Sequence, residues 1–241
     1  MSEEKFVGYF RLLEACAEPG CPVCWLVIGE SRSHLRALLD EQVTDPESRQ
    51  ALRRSWGFCN WHTWMLLEME QTRFGSAILY EDLLRLALQR VEQSGGPSPR
   101  RRLGLGFLRR RAPVGERHRG RAACPICGTT AGAERRYLDT LVAHFDDGDV
   151  LAAYARSDGL CVPHLCTALE VGRHRPRLRD LVARTREKWA SLRGELQSFV
   201  AKHDYRNQAP YTESEATATA RASALLAGSR GVFGNDAHGH P

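Results

Sequence analysis

The chain is 241 residues long, 42% hydrophobic and 26% charged. That suits one globular domain or two small ones and excludes wholly disordered, collagenous and fibrous classes. The net charge of +5 has a local source: residues 94–121 hold nine Arg and one Glu, so the rest of the chain is mildly acidic.

In chain order, the acidic start Met1-Ser2-Glu3-Glu4-Lys5 is unlike a secretory signal. No apolar run approaches the roughly 18 residues of a membrane-spanning helix. Phe6, Tyr9, Phe10 and Leu13 stand at helical spacing, and Cys16 continues that stripe. After Cys21-Pro22-Val23-Cys24, an amphipathic helix is predicted over residues 25–42, with Leu35, Leu38 and Leu39 on one face. Asp45 in Thr44-Asp45-Pro46 is placed to cap a short helix starting at Pro46, carrying Ala51 and Leu52 and stopping near Gly57. Gly57-Phe58-Cys59-Asn60-Trp61-His62 follows. His62, Met65, Leu66 and Met69 then share one helical face. Tyr80, Leu83, Leu84, Ala87 and Val91 form the stripe of the next helix.

Residues 94–121 are rich in Gly and Pro and read as a linker or insertion. The functional alternative is electrostatic contact with nucleic acid, an anionic membrane or an acidic protein through Arg100 to Arg121. Beyond it come Cys124-Pro125-Ile126-Cys127, a helix over 134–145, and a turn at Asp146-Asp147-Gly148-Asp149. A short helix over 150–156 follows, then Gly159-Leu160-Cys161-Val162-Pro163-His164. Leu178, Leu181, Val182, Thr185, Trp189, Leu192, Leu196 and Val200 mark a long helix, and residues 213–227 another. His203-Asp204-Tyr205-Arg206 reads as a solvated helix end, and the chain from Gly228 onward as a frayed tail.

The order CPxC, long helix, short helix, GxCxxH occurs twice, with Cys59 35 positions after Cys24 and Cys161 34 positions after Cys127. This predicts an internal duplication. No segment alternates with period two. The prediction is an all-α protein of two pseudo-repeated helical modules, 1–93 and 122–228, joined by 94–121 and followed by a disordered tail, 229–241. In each module a metal ion would clamp the CPxC turn to the CxxH helix start.

Paired CxxC and CxxH spacings present sulfur and imidazole donors to one ion. The expected ligand sets are Cys21, Cys24, Cys59 and His62 for one zinc ion, and Cys124, Cys127, Cys161 and His164 for the other. Gly128 is expected to ease the second CPxC turn. Four protein donors close a tetrahedral shell, which marks a structural site. Unmetalled buried thiol clusters and iron–sulfur ligation are the alternatives. A thioredoxin-like use of CPxC fits less well, since no strand precedes either motif. Cys16 and Cys166 have no counterpart in the other half and read as small buried hydrophobes.

The sequence resembles a bacterial family known only as a domain of unknown function, with CPxC, GxCxxH, the pattern repeated and a DYR-like stretch. Here these are Cys21–Cys24, Gly57–His62, Cys124–Cys127, Gly159–His164 and Asp204-Tyr205-Arg206. The resemblance implies metal sites and no activity. No phosphate-binding loop, nucleophile elbow or HExxH motif is present. The expected function is a cytoplasmic, zinc-stabilised helical scaffold or interaction protein with a protein partner, a homodimer among the options. A nucleic-acid-associated regulator and a thiol/zinc redox sensor are the alternatives.

Overall fold

The computed structural model describes residues 6–70, 72–95, 122–207 and 209–233, with backbone only at 93–95. The Arg-rich stretch from 96 to 121 and the end of the chain lie outside these residues. Among the described residues there are ten helices and no strand. They are α1 (Val7–Ala15), α2 (Pro22–Glu41), α3 (Pro46–Ser55), α4 (Asn60–Glu68) and α5 (Arg73–Gly95), then α6 (Pro125–Ala143), α7 (Gly148–Arg156), α8 (Val162–Val171), α9 (Leu178–Lys202) and α10 (Glu213–Ala227).

Local chemistry accounts for the helix ends. The Asp45 side chain accepts from Ser48 N–H at 2.7 Å, with Pro46 at the first helical position. Pro there loses nothing, because its missing N–H would be unpaired anyway. Asp147 caps α7 by accepting from Asp149 N–H. Thr212 and Glu215 form a reciprocal capping box on α10. Trp56 at φ 57° and Gly57 at φ 88° end α3 in the left-handed region. Gly159, at φ 80°, reverses the chain after α7.

The chain folds as two units whose boundaries differ from those of the two expected modules. One comprises Met1–Glu30 with Thr130–Pro241, the other Ser31–Thr129. Both boundaries fall inside helices, α2 and α6. In the larger unit α1 packs on α7, and α8, α9 and α10 pack on one another. Its fully buried side chains include Tyr9, Leu12, Leu138, Phe145, Tyr154 and Leu181. In the smaller unit α3 packs on α5, burying Leu52, Leu79 and Leu83. There Arg53 makes a bidentate pair with the buried Asp82, at 2.6 and 2.7 Å, and Arg85 joins it.

Several expected faces are corrected. On α5, Leu84 and Val91 are more than half exposed, and the buried side is Ser76, Leu79, Asp82 and Leu83. The expected stripe tracked hydrophobicity, whereas the buried face carries the carboxylate that answers Arg53. Phe6 and Phe10 are exposed, while Tyr9 and Leu12 are buried. Cys16 is buried as expected, but Cys166 is exposed. It sits two residues past the inward-facing His164, which is more than half a turn around the helix.

Candidate metal centres

All four cysteine-bearing motifs use one local geometry. Cys21, Cys59, Cys124 and Cys161 each immediately precede the first residue of a helix. Their partners Cys24, His62, Cys127 and His164 lie three residues on, one turn along the same face. CPxC is thus a helix start and not a free-standing turn. Gly128, expected to ease that turn, is helical and has no positive φ. Helix N-termini carry partial positive charge, which favours thiolates placed there.

The donors assemble crosswise to the expected modules. Cys21, Cys24, Cys161 and His164 form one cluster, wholly within the larger unit. Cys59, His62, Cys124 and Cys127 form the other, wholly within the smaller unit. The expected sets, Cys21/Cys24/Cys59/His62 and Cys124/Cys127/Cys161/His164, are therefore corrected. Each CPxC meets the CxxH of the other half.

In each cluster all four donor atoms lie within 4.8 Å of one another, and three nitrogen–sulfur edges and one sulfur–sulfur edge are close to those of tetrahedral coordination. In the larger unit His164 Nδ1 lies 3.4 Å from Cys21 Sγ, 3.4 Å from Cys24 Sγ and 3.2 Å from Cys161 Sγ. Cys24 and Cys161 sulfurs are 3.8 Å apart. In the smaller unit His62 Nδ1 lies 3.1, 3.6 and 3.4 Å from the sulfurs of Cys59, Cys124 and Cys127. Cys59 and Cys127 sulfurs are 3.6 Å apart. A tetrahedral ion with metal–sulfur bonds of ~2.3 Å and metal–nitrogen bonds of ~2.05 Å requires edges of roughly 3.8 and 3.5 Å. Disulfides, at about 2.05 Å, are excluded by these separations, and none of the eight cysteines is in one.

The electrostatics agree. Hydrogen bonds from Cys161 and Cys21 pull the Cys24 thiol far below its ordinary value. Those from Cys127 and Cys59 do the same for Cys124. Burial, followed by the neighbouring sulfurs, pushes Cys21 up. Cys127 is pushed up by Cys124 and Cys59 first, then by burial. Burial disfavours a charged His62, yet hydrogen bonds to Cys124 and Cys59 outweigh it and raise the imidazole to about 9. Each cluster thus shares protons among sulfurs too close to ionise together. A divalent cation relieves that repulsion by taking the protons' place.

A shell of supporting groups holds the donors. With Nδ1 facing the sulfurs, His62 Nε2 shares a hydrogen bond of 3.2 Å with Ser31 Oγ. His164 Nε2 lies 3.4 Å from Glu134 Oε1, an ion-pair distance outside hydrogen-bond geometry. Such partners orient ligating imidazoles. A chain of bonds secures the loop before Cys161: Leu160 N–H donates to Tyr154 Oη, Tyr154 O–H to Thr185 Oγ1, and Thr185 O–H to Leu181 C=O. Trp189 Nε1–H donates to Leu160 C=O, and Lys188 Nζ to Ala155 and Ser157 C=O. In the smaller unit Ala122 N–H donates to Arg54 C=O, fixing the chain two residues before Cys124. Sequence reading missed these supports. Tyr154 and Thr185 look like ordinary core positions until the tertiary fold brings them to the loop.

The turn after α10 was also missed. Expected to fray, residues 229–233 instead fold over the larger unit's cluster. Ser229 N–H donates to Cys24 Sγ at 3.3 Å. The Phe233 ring stands edge-on to His164 at 4.9 Å. By contrast, Tyr205 in the DYR-like stretch is 89% exposed, and Asp204 pairs with Arg206 in solvent, as expected of a helix end.

The model of a family of unknown function (DUF6062) matches residues 10–230, and the chain belongs to that family. No curated protein and no solved structure matches it.

Proposed function

We propose that this DUF6062 member is a zinc-stabilised helical scaffold or interaction protein with two structural centres, each of three cysteines and one histidine. The observation carrying this reading is the pair of tetrahedral donor sets, each complete within one unit. Four protein donors leave no position for water or substrate, which favours a structural role over a catalytic one. Three thiolates and an imidazole at these spacings suit zinc among common divalent ions. Each ion would join two helix starts, so binding free energy becomes folding free energy.

Matched caps, matched left-handed glycines and matched helix-start cysteines support an origin by duplication. Eight cysteines without a disulfide support residence in a reducing compartment such as the cytoplasm. The interaction half of the reading rests on α5, where Phe74, Leu84, Leu88 and Val91 are each at least 60% exposed. Apolar patches of this kind mark protein contacts.

The test is elemental analysis of protein purified without added metal. About two zinc per chain, with helicity lost on chelation, is the expected result. Iron with visible absorption would replace zinc by a cluster, and metal-free protein of full helicity would remove the reading.

A further inference from the structure

We infer that the two centres are unequal: the smaller unit's cluster is a releasable metal site, and the turn after α10 seals the other. The inference rests on the metal-binding reading above and concerns how each ion is kept.

Three observations point the same way. First, cover: Cys21, Cys24, Cys161 and His164 are all buried, whereas Cys127 is partly exposed. An incoming ligand must reach the metal or a sulfur to begin exchange, and Cys127 offers that approach. Trp61 lies against His62 at 4.5 Å, but it belongs to the same helix start and shields the imidazole. Phe233 comes from nearly seventy residues beyond His164 and closes over the cluster from outside.

Second, the sulfur itself: Ser229 N–H donates to Cys24 Sγ. A hydrogen bond to a thiolate withdraws charge, which lowers both its basicity and its reactivity toward protons and electrophiles. The geometry of the turn is specific. Gly228 has φ 77°, and a Cβ there would collide with the Phe233 ring. Only glycine lets the chain leave α10 and place both groups over the site.

Third, the imidazole partners differ. His164 faces the carboxylate of Glu134, and His62 faces the neutral hydroxyl of Ser31. At 3.4 Å and without a hydrogen bond, the Glu134 carboxylate acts on His164 by its charge alone, favouring positive charge at that imidazole. The larger unit's ion is therefore held under cover, with a carboxylate behind its imidazole. The smaller unit's ion is held beside a partly exposed sulfur, with a neutral hydroxyl behind its imidazole. Functionally, the chain keeps one permanent fold-forming ion and one that answers to chelators or to the zinc level around it.

The experiment uses full-length protein with its zinc content measured beforehand, so that failure of the metal-binding reading shows separately. An excess of a chromophoric chelator is added, and aliquots are pulsed with N-ethylmaleimide for peptide mapping. Release in two phases of one equivalent each, separated about tenfold or more in rate, is expected. After the fast phase Cys59, Cys124 and Cys127 should be alkylated, with Cys21, Cys24 and Cys161 protected. Phe233→Ala should accelerate only the slow phase, about tenfold on the scale of outer-shell changes. A single phase of two equivalents, or early labelling of Cys21, Cys24 and Cys161, overturns the inference. The mapping of unaltered protein decides the order even if the variant folds poorly.

Discussion

At Cys59 the crossed pairing has a direct chemical consequence. Its sulfur lies 3.6 Å from that of Cys127, a residue 68 positions away. Cys59→Ser should lower the zinc content by about one equivalent and expose Cys124 and Cys127 to alkylation. Labelling of Cys21 and Cys24 instead would restore the sequence-local pairing. Asp82 allows a second test. The Arg53 hydrogen bonds, outweighing burial, bring its carboxyl down to about 2 from an ordinary value near 3.8. A carboxylate depressed on folding contributes stability that is present above the unfolded value and lost as pH falls through the folded one. Asp82 thus supports the fold above about pH 4, and this support fades toward pH 2. Asp82→Asn should cost about 1–2 kcal/mol at neutral pH and flatten acid unfolding between pH 4 and 2. An unchanged acid profile would show that the Arg53 pair contributes nothing.

At the scale of elements, helix starts do most of the positioning. Their signals were legible in sequence: Asp45 before Pro46, the Asp146–Asp149 turn, and glycines 57 and 159 all stand where the chain requires them. The supports that aim the donors were not legible, because they join elements far apart in sequence. Tyr154 on α7 reaches Thr185 on α9 and the backbone of Leu160 at once. Tyr154→Phe leaves the buried Leu160 N–H without its acceptor, and should cost about 1–3 kcal/mol. Thermal unfolding of the zinc-loaded protein measures that loss, and faster alkylation of Cys161 would place it at the metal centre. A neutral Tyr154→Phe would mean that Trp189 and Lys188 hold the loop unaided. The α5 face shows the limit of periodicity. Leu84 and Val91 were expected inside on hydrophobicity, yet Asp82, held by arginines, takes the buried side.

For the molecule as a whole, each unit takes one CPxC from one half of the sequence and one CxxH from the other. Fragments 1–95 and 122–241 should each bind zinc weakly when separate. Mixed, they should recover two tight sites and full helicity. Tight binding of one zinc by each fragment, with independent folding, would contradict the exchange. From sequence alone, the residue types and the i, i+3 spacings determined that the chain is helical and carries two cysteine–cysteine pairs and two cysteine–histidine pairs. These are local properties, set by the reach of one helical turn. Which pair meets which was decided only in three dimensions. Intervening stretches of 34 and 33 residues within the halves, and of 61 between His62 and Cys124, allow either pairing by length, and the choice falls to the packing that buries Tyr9, Leu138, Tyr154 and Leu181 in one unit and Leu52, Leu79 and Leu83 in the other. The cover over Cys24 has the same origin. Nothing local to Gly228, Ser229 and Phe233 points to a thiolate 205 residues earlier in the chain. Only the fold of the larger unit brings α10 and its closing turn to that sulfur.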